Sequence, residues 1–572
     1  MGKNEELVIR REQLALLGDE AVALGAMHAG ISAGYGYPGT PSTEILQYLI
    51  DQQEKGGHIA RWCANEKTAL EAGLGVSFAG RRALIQMKHV GLNVAADAFI
   101  NAALIKIKGG LVLVVADDPG MHSSQNEQDS RFYAAFAMVP CFEPRNQQEA
   151  YTMTREAFDV SERFEVPVMV RLATRLAHAR AAITIQNPLN QKPVSKAMDK
   201  ERWTLIPAYA RKNYAILVEK YKEMQAWSAR HPVNTLDLGG SSQHDLVVIT
   251  SGLGGNYYSE NLDDLTAMRG GKAPAHLHIS AYPLPVESIR KLCADAEKVL
   301  VIEEGQPFIE EKLRGLLPQK SACGEAIAIY GRLNDNPDET MVIPRTGELD
   351  PDNVRAALGL PPRPGINITG MANGIGADPA ALPGRPPQLC QGCGHIDAYE
   401  AIKKAVAALD SRPGHPDVGI NSDIGCYSMG VAPPYQVPES IVCMGAGVSM
   451  AKGAADAGLP YSIGIVGDST FIHSGITCLI DAAAANIPMT LIILDNSVVA
   501  MTGCQPTMVG SDKLSRLIIG CGVDPDHVLN LEAVKPKIEE NAARLQAEIA
   551  YRGLSVVIFS RECLEAARKK RS

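Results

Sequence analysis

Aromatic side chains are scarce, at 5% of the 572 residues with 3 tryptophans, whereas glycine and proline number 52 and 35. That balance suits an α/β chain with many strand-to-helix turns better than a β-sandwich. Cysteine is also thin, 12 residues or about 2%, far below the density of a disulfide scaffold; in a reducing compartment these are thiols or metal ligands. No apolar run approaches the ~18 residues that would span a bilayer, and the first eleven residues (MGKNEELVIRR) are charged, unlike a signal peptide. We therefore expect a cytoplasmic protein with no membrane partner. Basic charge gathers only at Arg568, Lys569, Lys570 and Arg571, and the net charge is −9, which argues against a nucleic-acid surface. What is present is 46% hydrophobic residues, enough to build cores for about four domains at this length.

The pattern along the chain is α/β punctuation, with two doubly wound parallel sheets expected and a smaller α/β domain between them. In residues 1–185 a helical run (DEAVALGAMHAG), an apolar stretch (ISAGYGY), a turn (PGTPS) and a second helix (TEILQYLIDQQ) follow one another. Further strands are predicted at 82–87, 110–116 and 166–172, each beside helical sequence. Residues 186–243 are polar and proline-bearing, and predict a connecting segment with one long helix over 213–230. A second block, 244–332, offers strands at 245–250, 276–280 and 298–304. Residues 333–388 hold seventeen Pro and Gly positions and no period, which predicts an extended linker. The last block, 389–572, predicts strands at 418–421, 441–444, 462–466, 489–495 and 554–560.

In that last block a strand runs into Gly467, Asp468, Ser469 and Thr470, a helix is expected over 474–485, and the next strand ends at Asp495 and Asn496. An Asp and an Asn at neighbouring strand ends, at the carboxyl edge of a parallel sheet, suit a divalent metal that holds a diphosphate. Gly467 would let backbone approach a phosphate, and the carbonyl of Val498 would complete an oxygen shell around Mg²⁺. A lone Gly-Asp is more often a strand-to-helix turn with Asp as N-cap; the Asn in register reverses that preference. Upstream, 444–453 (MGAGVSMAKG) places Gly445 and Gly447 where a strand turns into a helix. The thirty-residue span from Gly467 to Asn496 resembles the thiamine-diphosphate motif.

Thiamine chemistry also needs a carboxylic acid that hydrogen-bonds the aminopyrimidine, so that the thiazolium C2 proton can leave. Glu66, in ANEKTALEAGLG, is the candidate, although a Glu at a helix N-terminus is also ordinary dipole chemistry. Its surroundings decide. The segments 35–45 (YGYPGTPSTEI), Asn65 with Glu66, 87–93 (MKHVGLN), 116–131 (ADDPGMHSSQNEQDSR), 298–311 (KVLVIEEGQPFIEE), 390–395 (CQGCGH) and the Gly467 motif resemble the 2-oxoacid:ferredoxin oxidoreductases. The resemblance is nearest to the large subunits that act on indolepyruvate, and it runs through nearly the whole chain. It implies a pyrimidine-binding domain over 1–185, a transketolase C-terminal-like domain over 244–332 and a diphosphate-binding domain over 389–572. It also implies that Glu66 is the pyrimidine-activating acid and that Thr40, followed by Pro41, faces the substrate. Lys88 and His89 then stand near the reacting centre, where we expect carboxylate binding or proton transfer. For His89 a satisfied histidine at a strand end is an equal reading.

A bare C-x-x-C such as Cys390 and Cys393 serves as a redox dithiol, a zinc half-site or an iron–sulfur half-site. Cys426 lies 33 residues after Cys393, and Cys563 lies 137 residues after that. The family order of an early C-x-x-C, one Cys about thirty residues on and one after the final strand implies that these four hold one [4Fe–4S] cluster. Cys63, Cys141, Cys293, Cys323, Cys443, Cys478 and Cys521 sit in apolar or helical contexts and read as core packing, whereas Cys504, in MTGCQPT, follows the metal motif and is a weaker candidate for approaching the cofactor.

The expected reaction is 2-oxoacid plus coenzyme A plus oxidised acceptor giving acyl-CoA, CO₂ and reduced acceptor, with an arylpyruvate favoured. Relatives usually continue into a ferredoxin-like module after the last strand, whereas this sequence ends nine residues after Cys563. A small (beta) subunit, a ferredoxin-like or flavin-containing acceptor and a heteromer built on a dimer of this chain are therefore expected. The competing reading is a non-oxidative thiamine-diphosphate decarboxylase or carboligase whose four cysteines are simply buried.

Overall fold

The computed structural model describes residues 13–239, 245–317, 327–333, 341–364, 388–409 and 418–571. It divides into two compact units, Met1–Gly365 and Ile366–Ser572.

The first unit holds a seven-stranded sheet ordered Ala281–Tyr282, Cys141–Phe142, Val168–Ala173, Leu111–Asp117, Ala83–Lys88, Ala33–Gly36, Ile59–Trp62. All neighbours are parallel except Ala281–Tyr282, which runs antiparallel to Cys141–Phe142. Every residue of Leu111–Asp117 and Ala83–Lys88 is buried, because helices cover both faces of a parallel sheet and leave no alternation to read. Helix Gly18–His28 packs on helix Gln147–Phe164 at close range; a Cβ on Gly25 would lie 2.5 Å from the Tyr151 carbonyl oxygen. Strand Gln13–Leu17, unexpected from its charged surroundings, pairs antiparallel with Arg180–Thr184.

A second sheet in the same unit is ordered Ala328–Tyr330, Lys298–Ile302, Val247–Ser251, Ala275–Ile279, Thr235–Asp237. Its last strand comes from 186–243. That stretch is therefore more than a connection: besides the long helix, Pro207–Ala229, it contributes an antiparallel edge. Within 333–388, helix Pro351–Ala357 departs from the extended reading. Asp350 caps it by accepting from the Asn353 N–H at 2.7 Å, and Val354 and Ala357 are buried. A short, half-polar helix of this kind has too few apolar positions to show a period. Residues 365–387 lie outside the described ones.

A buried ion network fastens the two sheets. Arg131 binds Asp129 and, at 3.0 Å, Glu303, and donates to the Glu304 and Gln306 carbonyls. Arg171 binds Asp117 at 2.6 Å and Glu143 at 2.5 Å. The segments 116–131 and 298–311, which the sequence sets far apart, meet here.

The second unit is built on a parallel six-stranded sheet ordered Ser440–Ile441, Val418–Ser422, Tyr461–Gly467, Met489–Asp495, Ser555–Ser560, Val528–Glu532, beside a two-stranded antiparallel pair, Val498–Val499 with Gln505–Pro506. Strand Val528–Glu532 is half exposed and polar, so its sequence carries no apolar run. The predicted 441–444 strand shrinks to Ser440–Ile441. The chain reverses its direction of travel across the sheet between Val418–Ser422 and Tyr461–Gly467, and the crevice outside the carboxyl ends at such a switch point is where α/β sheets bind ligands.

Candidate cofactor site and thiol cavity

At the switch point of the second unit, strand Tyr461–Gly467 passes directly into helix at Asp468, earlier than the 474 start its sequence predicts; a π-helical turn, Phe471–Gly475, follows. Gly467 pairs with Leu494 on the neighbouring strand, which brings Asp468 beside Asp495 and Asn496. The Ser497 N–H donates to Asp468 Oδ2 at 3.0 Å and to Asp495 Oδ1 at 3.1 Å. Burial and the adjacent Asp495 carboxylate push the Asp468 carboxyl well above its ordinary pKa. Two carboxylates crowded at neighbouring strand ends, with the Asn496 amide next to them, form an oxygen-donor set that a hard divalent cation would stabilise. Asn496 Oδ1 accepts from the Val498 N–H at 3.1 Å, so Val498 lies in the same turn. Thr470 is buried and donates to the Ile424 carbonyl at 3.1 Å, while Ser469 is half-buried and its backbone N–H donates to Asp468.

Protein packing by itself already constrains the glycines here. A Cβ on Gly467 would lie 2.5 Å from the Tyr427 ring, and one on Gly447 would lie 2.7 Å from the Ile465 carbonyl oxygen; Gly445 has φ +86°. Protein packing against protein, together with one left-handed turn, requires them. Asp423, overlooked in the sequence, organises this loop. It is buried, accepts from the Gly445 N–H at 2.8 Å and from the Tyr427 hydroxyl, and burial raises its pKa to about 7. The only available signal was its place in SDIGCYS, three residues before Cys426.

Cys390, Cys393, Cys426 and Cys563 line one cavity of about 190 Å³, together with Leu389, His395 and Phe559. Cys393 stands directly before helix Gly394–Ala407 and Cys563 directly before helix Leu564–Lys569, and neither thiol makes a capping hydrogen bond. The Cys563 N–H donates to the Asn496 carbonyl at 3.3 Å, and His395 Nε2 lies 3.4 Å from Asn496 Nδ2. The thiol cavity and the turn at Asn496 are thus hydrogen-bonded neighbours. Among the described residues no three of these sulfurs lie mutually within 4.8 Å, wider than the ~3.8 Å that ~2.3 Å bonds to a tetrahedral zinc would set. Cys504, at φ +66°, brings its thiol to Cys563. Cys443 is exposed and so does not belong to the core; Cys323 lies outside the described residues.

In the first unit, the remaining predicted residues gather at the carboxyl ends of parallel strands. Glu66 is buried at the first position of helix Glu66–Phe78, whose cap Asn65 accepts from the Thr68 N–H at 2.9 Å. Its carboxylate lies over Gly91, where a Cβ would stand 2.4 Å from Oε1. Thr40 and Pro41 form the turn before helix Thr43–Gly56, held by Gly39 N–H donating to Thr43 Oγ1 at 3.0 Å. A Cβ on Gly39 would meet the Lys88 side chain at 3.1 Å, so this turn lies against Lys88. Lys88 is buried, its Nζ donates to the Ser123 carbonyl at 2.5 Å, and burial lowers its pKa to about 8 against the pull of Asp118. His89 is 1% exposed with Nδ1 lacking a hydrogen-bond partner, and burial lowers its pKa. Its Nε2 lies 3.4 Å from the Asn126 carbonyl oxygen, so the ring is bonded at one nitrogen only.

Two family models match the chain: "Pyruvate flavodoxin/ferredoxin oxidoreductase, thiamine diP-bdg" over 24–235 and "Thiamine pyrophosphate enzyme, C-terminal TPP binding domain" over 423–557. Indolepyruvate oxidoreductase subunit IorA of Archaeoglobus fulgidus is 36% identical over 96% of this chain and 86% of its own length. The IorA subunit of Methanothermobacter thermautotrophicus is 32% identical over 98% and 88%. The chain belongs to the IorA family of 2-oxoacid ferredoxin oxidoreductases.

For an IorA-family chain the two matched regions fall one in each unit: 24–235 contains Thr40, Glu66, Lys88 and His89, and 423–557 contains Gly445, Asp468 and Asn496. The fold is that of the thiamine-diphosphate-binding enzymes, and the chain is an oxidoreductase of that cofactor class. The ion network carries Arg131, Arg171 and Arg332, all buried, which hydropathy assigns to the surface. Among the described residues no helix is long and apolar enough to cross a membrane.

Proposed function

We propose that this IorA-family chain is the catalytic large subunit that oxidatively decarboxylates an arylpyruvate such as indolepyruvate. In this reading 2-oxoacid, coenzyme A and an oxidised acceptor give acyl-CoA, CO₂ and the acceptor reduced by two electrons. The IorA relatives support the substrate class. The observation that carries the reading is the four-thiol cavity, whose Cys563 is hydrogen-bonded to Asn496 beside the metal-donor carboxylates. A non-oxidative decarboxylase has no use for such a cavity. When bound, thiamine diphosphate supplies the electron sink for CO₂ loss, Mg²⁺ fixes its diphosphate and a [4Fe–4S] cluster takes electrons singly.

The residues divide the work. Glu66 holds the proton exchanged with the aminopyrimidine, and its burial keeps water from competing for it. Thr40, with Pro41 setting the turn, faces the substrate; Lys88 receives the 2-oxoacid carboxylate, and the neutral imidazole of His89 moves a proton at the reacting carbon. Asp468, Asn496 and the Val498 carbonyl hold Mg²⁺, while Gly467, Ser469, Thr470, Gly445 and Gly447 border the diphosphate. Cys390, Cys393, Cys426 and Cys563 hold the cluster. Residues 1–185 would then bind the pyrimidine and 389–572 the diphosphate, with 244–332 as the transketolase C-terminal-like domain. A small subunit completes the coenzyme A contacts, a ferredoxin-like or flavin-containing protein takes the electrons, and the assembly is a cytoplasmic heteromer built on a dimer of this chain.

The test is anaerobic purification with iron counting and EPR, followed by CO₂ release from a panel of 2-oxoacids with the small subunit present. One four-iron cluster per chain, and turnover that stops without coenzyme A or acceptor, are expected. Undiminished turnover without either, or a chain free of iron, would favour the decarboxylase instead. Glu66→Gln should abolish turnover in both cases.

A further inference from the structure

Away from the thiols and the candidate cofactor residues, Asp19, Glu44 and His178 bring one ligand atom each to within 4.8 Å of one another. They arrive from three elements of the first unit: the first turn of helix Gly18–His28, the first turn of helix Thr43–Gly56 and the last residue of helix Thr174–His178. Close packing fixes the meeting, since a Cβ on Gly18 would lie 2.2 Å from the Leu176 carbonyl oxygen, and the Gly18 N–H donates to the Ala179 carbonyl at 3.2 Å.

Asp19 is 0% exposed, no N–H or hydroxyl donates to either of its oxygens, and the one group that faces it is the Glu44 carboxyl, beside which burial holds its pKa well above the ordinary value. A buried carboxylate ordinarily finds donors. Here the group facing Asp19 is a second carboxylate, and His178 Nε2 stands 3.5 Å from Glu44 Oε2, a spacing at the edge of hydrogen bonding. The nearby guanidinium of Arg180 is engaged by Glu20 at 3.4 Å and supplies no counter-charge to Asp19. Two carboxylates and an imidazole converging within 4.8 Å, with Asp19 bonded by no N–H or hydroxyl, make a three-point ligand set. Oxygen and imidazole nitrogen together suit a borderline first-row divalent ion.

We propose that Asp19, Glu44 and His178 form a binding site for such an ion, Zn²⁺ in the first instance, with water completing the shell where the Glu44 and His178 side chains are 41% and 36% exposed. The ion ties the start of helix Thr43–Gly56, directly after the Thr40 turn, to helix Thr174–His178. Thr174 Oγ1 in turn donates to Asp118 at 2.7 Å. The ion therefore braces the turn from behind and takes no part in the chemistry. The proposal stands whether or not the cofactor assignments do.

The test counts Zn²⁺ bound to the chelator-treated full-length chain by equilibrium dialysis, comparing wild type with Asp19→Asn and His178→Gln; zinc on the thiols is common to all three and cancels. Wild type should hold one more tight equivalent than either variant, and Zn²⁺ should raise its Tm by more. Asp19→Asn keeps the shape of Asp19, so its unchanged circular dichroism in chelator would show that the loss is of binding, even if His178→Gln folds poorly. Equal zinc counts and equal Tm shifts in wild type and Asp19→Asn would overturn the proposal and leave Asp19 as a neutral carboxyl sharing its proton with Glu44.

Discussion

Gly91→Ala perturbs Glu66 without altering the carboxylate itself. A methyl at 91 would lie 2.4 Å from Glu66 Oε1, 2.6 Å from Cγ and 2.7 Å from Cδ. Van der Waals contact needs about 3.5 Å, so the carboxylate must withdraw by about 1 Å. Because it is the end of a flexible side chain, the folding cost belongs at the low end of overpacking, about 1 kcal/mol. The catalytic cost is larger, since a misplacement of ~1 Å lowers rate about 100-fold, equivalent to roughly 2.7 kcal/mol. Exchange of the C2 proton of bound thiamine diphosphate into D₂O, quenched and read by NMR, isolates this step from substrate binding and electron transfer. We expect exchange about 100-fold slower in a chain whose Tm drops only slightly. An exchange rate equal to wild type in a chain that binds the cofactor would refute the role given to Glu66, because the contact leaves no room for an unmoved carboxylate.

Further outcomes follow from other contacts. Lys88 loses its proton near pH 8, so its charge is present below that pH and absent above it; KM for the 2-oxoacid should climb above about pH 8, and Lys88→Met should flatten the profile at the higher KM. Arg131→Met leaves Glu303 without its buried cation and Asp129 with Arg171 alone, and should destabilise the chain by about 3–5 kcal/mol, measured by urea denaturation. The Cys504 thiol, its pKa raised by burial and by Cys563, stays protonated beside Cys563, which the proposed function makes a cluster ligand. Cys504→Ala should therefore lower the midpoint potential of the cluster in an EPR-monitored titration, with cluster content unchanged. Asp468→Asn removes an anionic donor and should weaken Mg²⁺-dependent thiamine-diphosphate binding by at least tenfold, about 1.4 kcal/mol, read by fluorescence titration.

Much of this was legible in the sequence, because strand ends announce themselves. Glu66, Lys88, Asp468 and Asn496 each close an apolar run or open a helix, and fully buried parallel strands such as Met489–Asp495 leave unbroken runs. That Cys390, Cys393, Cys426 and Cys563 share one cavity was legible only through the family's cysteine order. Two kinds of feature were not. Val528–Glu532 is an edge strand with a mixed surface, and Gln13–Leu17 depends on a partner more than 160 residues away, so neither has a local signal. Asp423 and Arg131 are charged residues whose burial is created by distant partners, and composition places such side chains outside. Gly91 shows a third case: the residue was inside a quoted motif, and only the position of Glu66 explains it.

The guanidinium network has a consequence for synthesis. Arg131 and Arg171 leave the ribosome well before Glu303, with more than 130 residues between Arg171 and that acceptor, which at about 5–20 residues per second is an interval of roughly ten seconds. During that time the seven-stranded sheet lacks its edge strand Ala281–Tyr282, and Arg131 lacks both the Glu303 carboxylate and the Glu304 carbonyl. Until then the two guanidinia have Asp129, Asp117 and Glu143 as partners and lack those of the second sheet. Truncation between the two sheets should yield a chaperone client in place of a smaller folded domain.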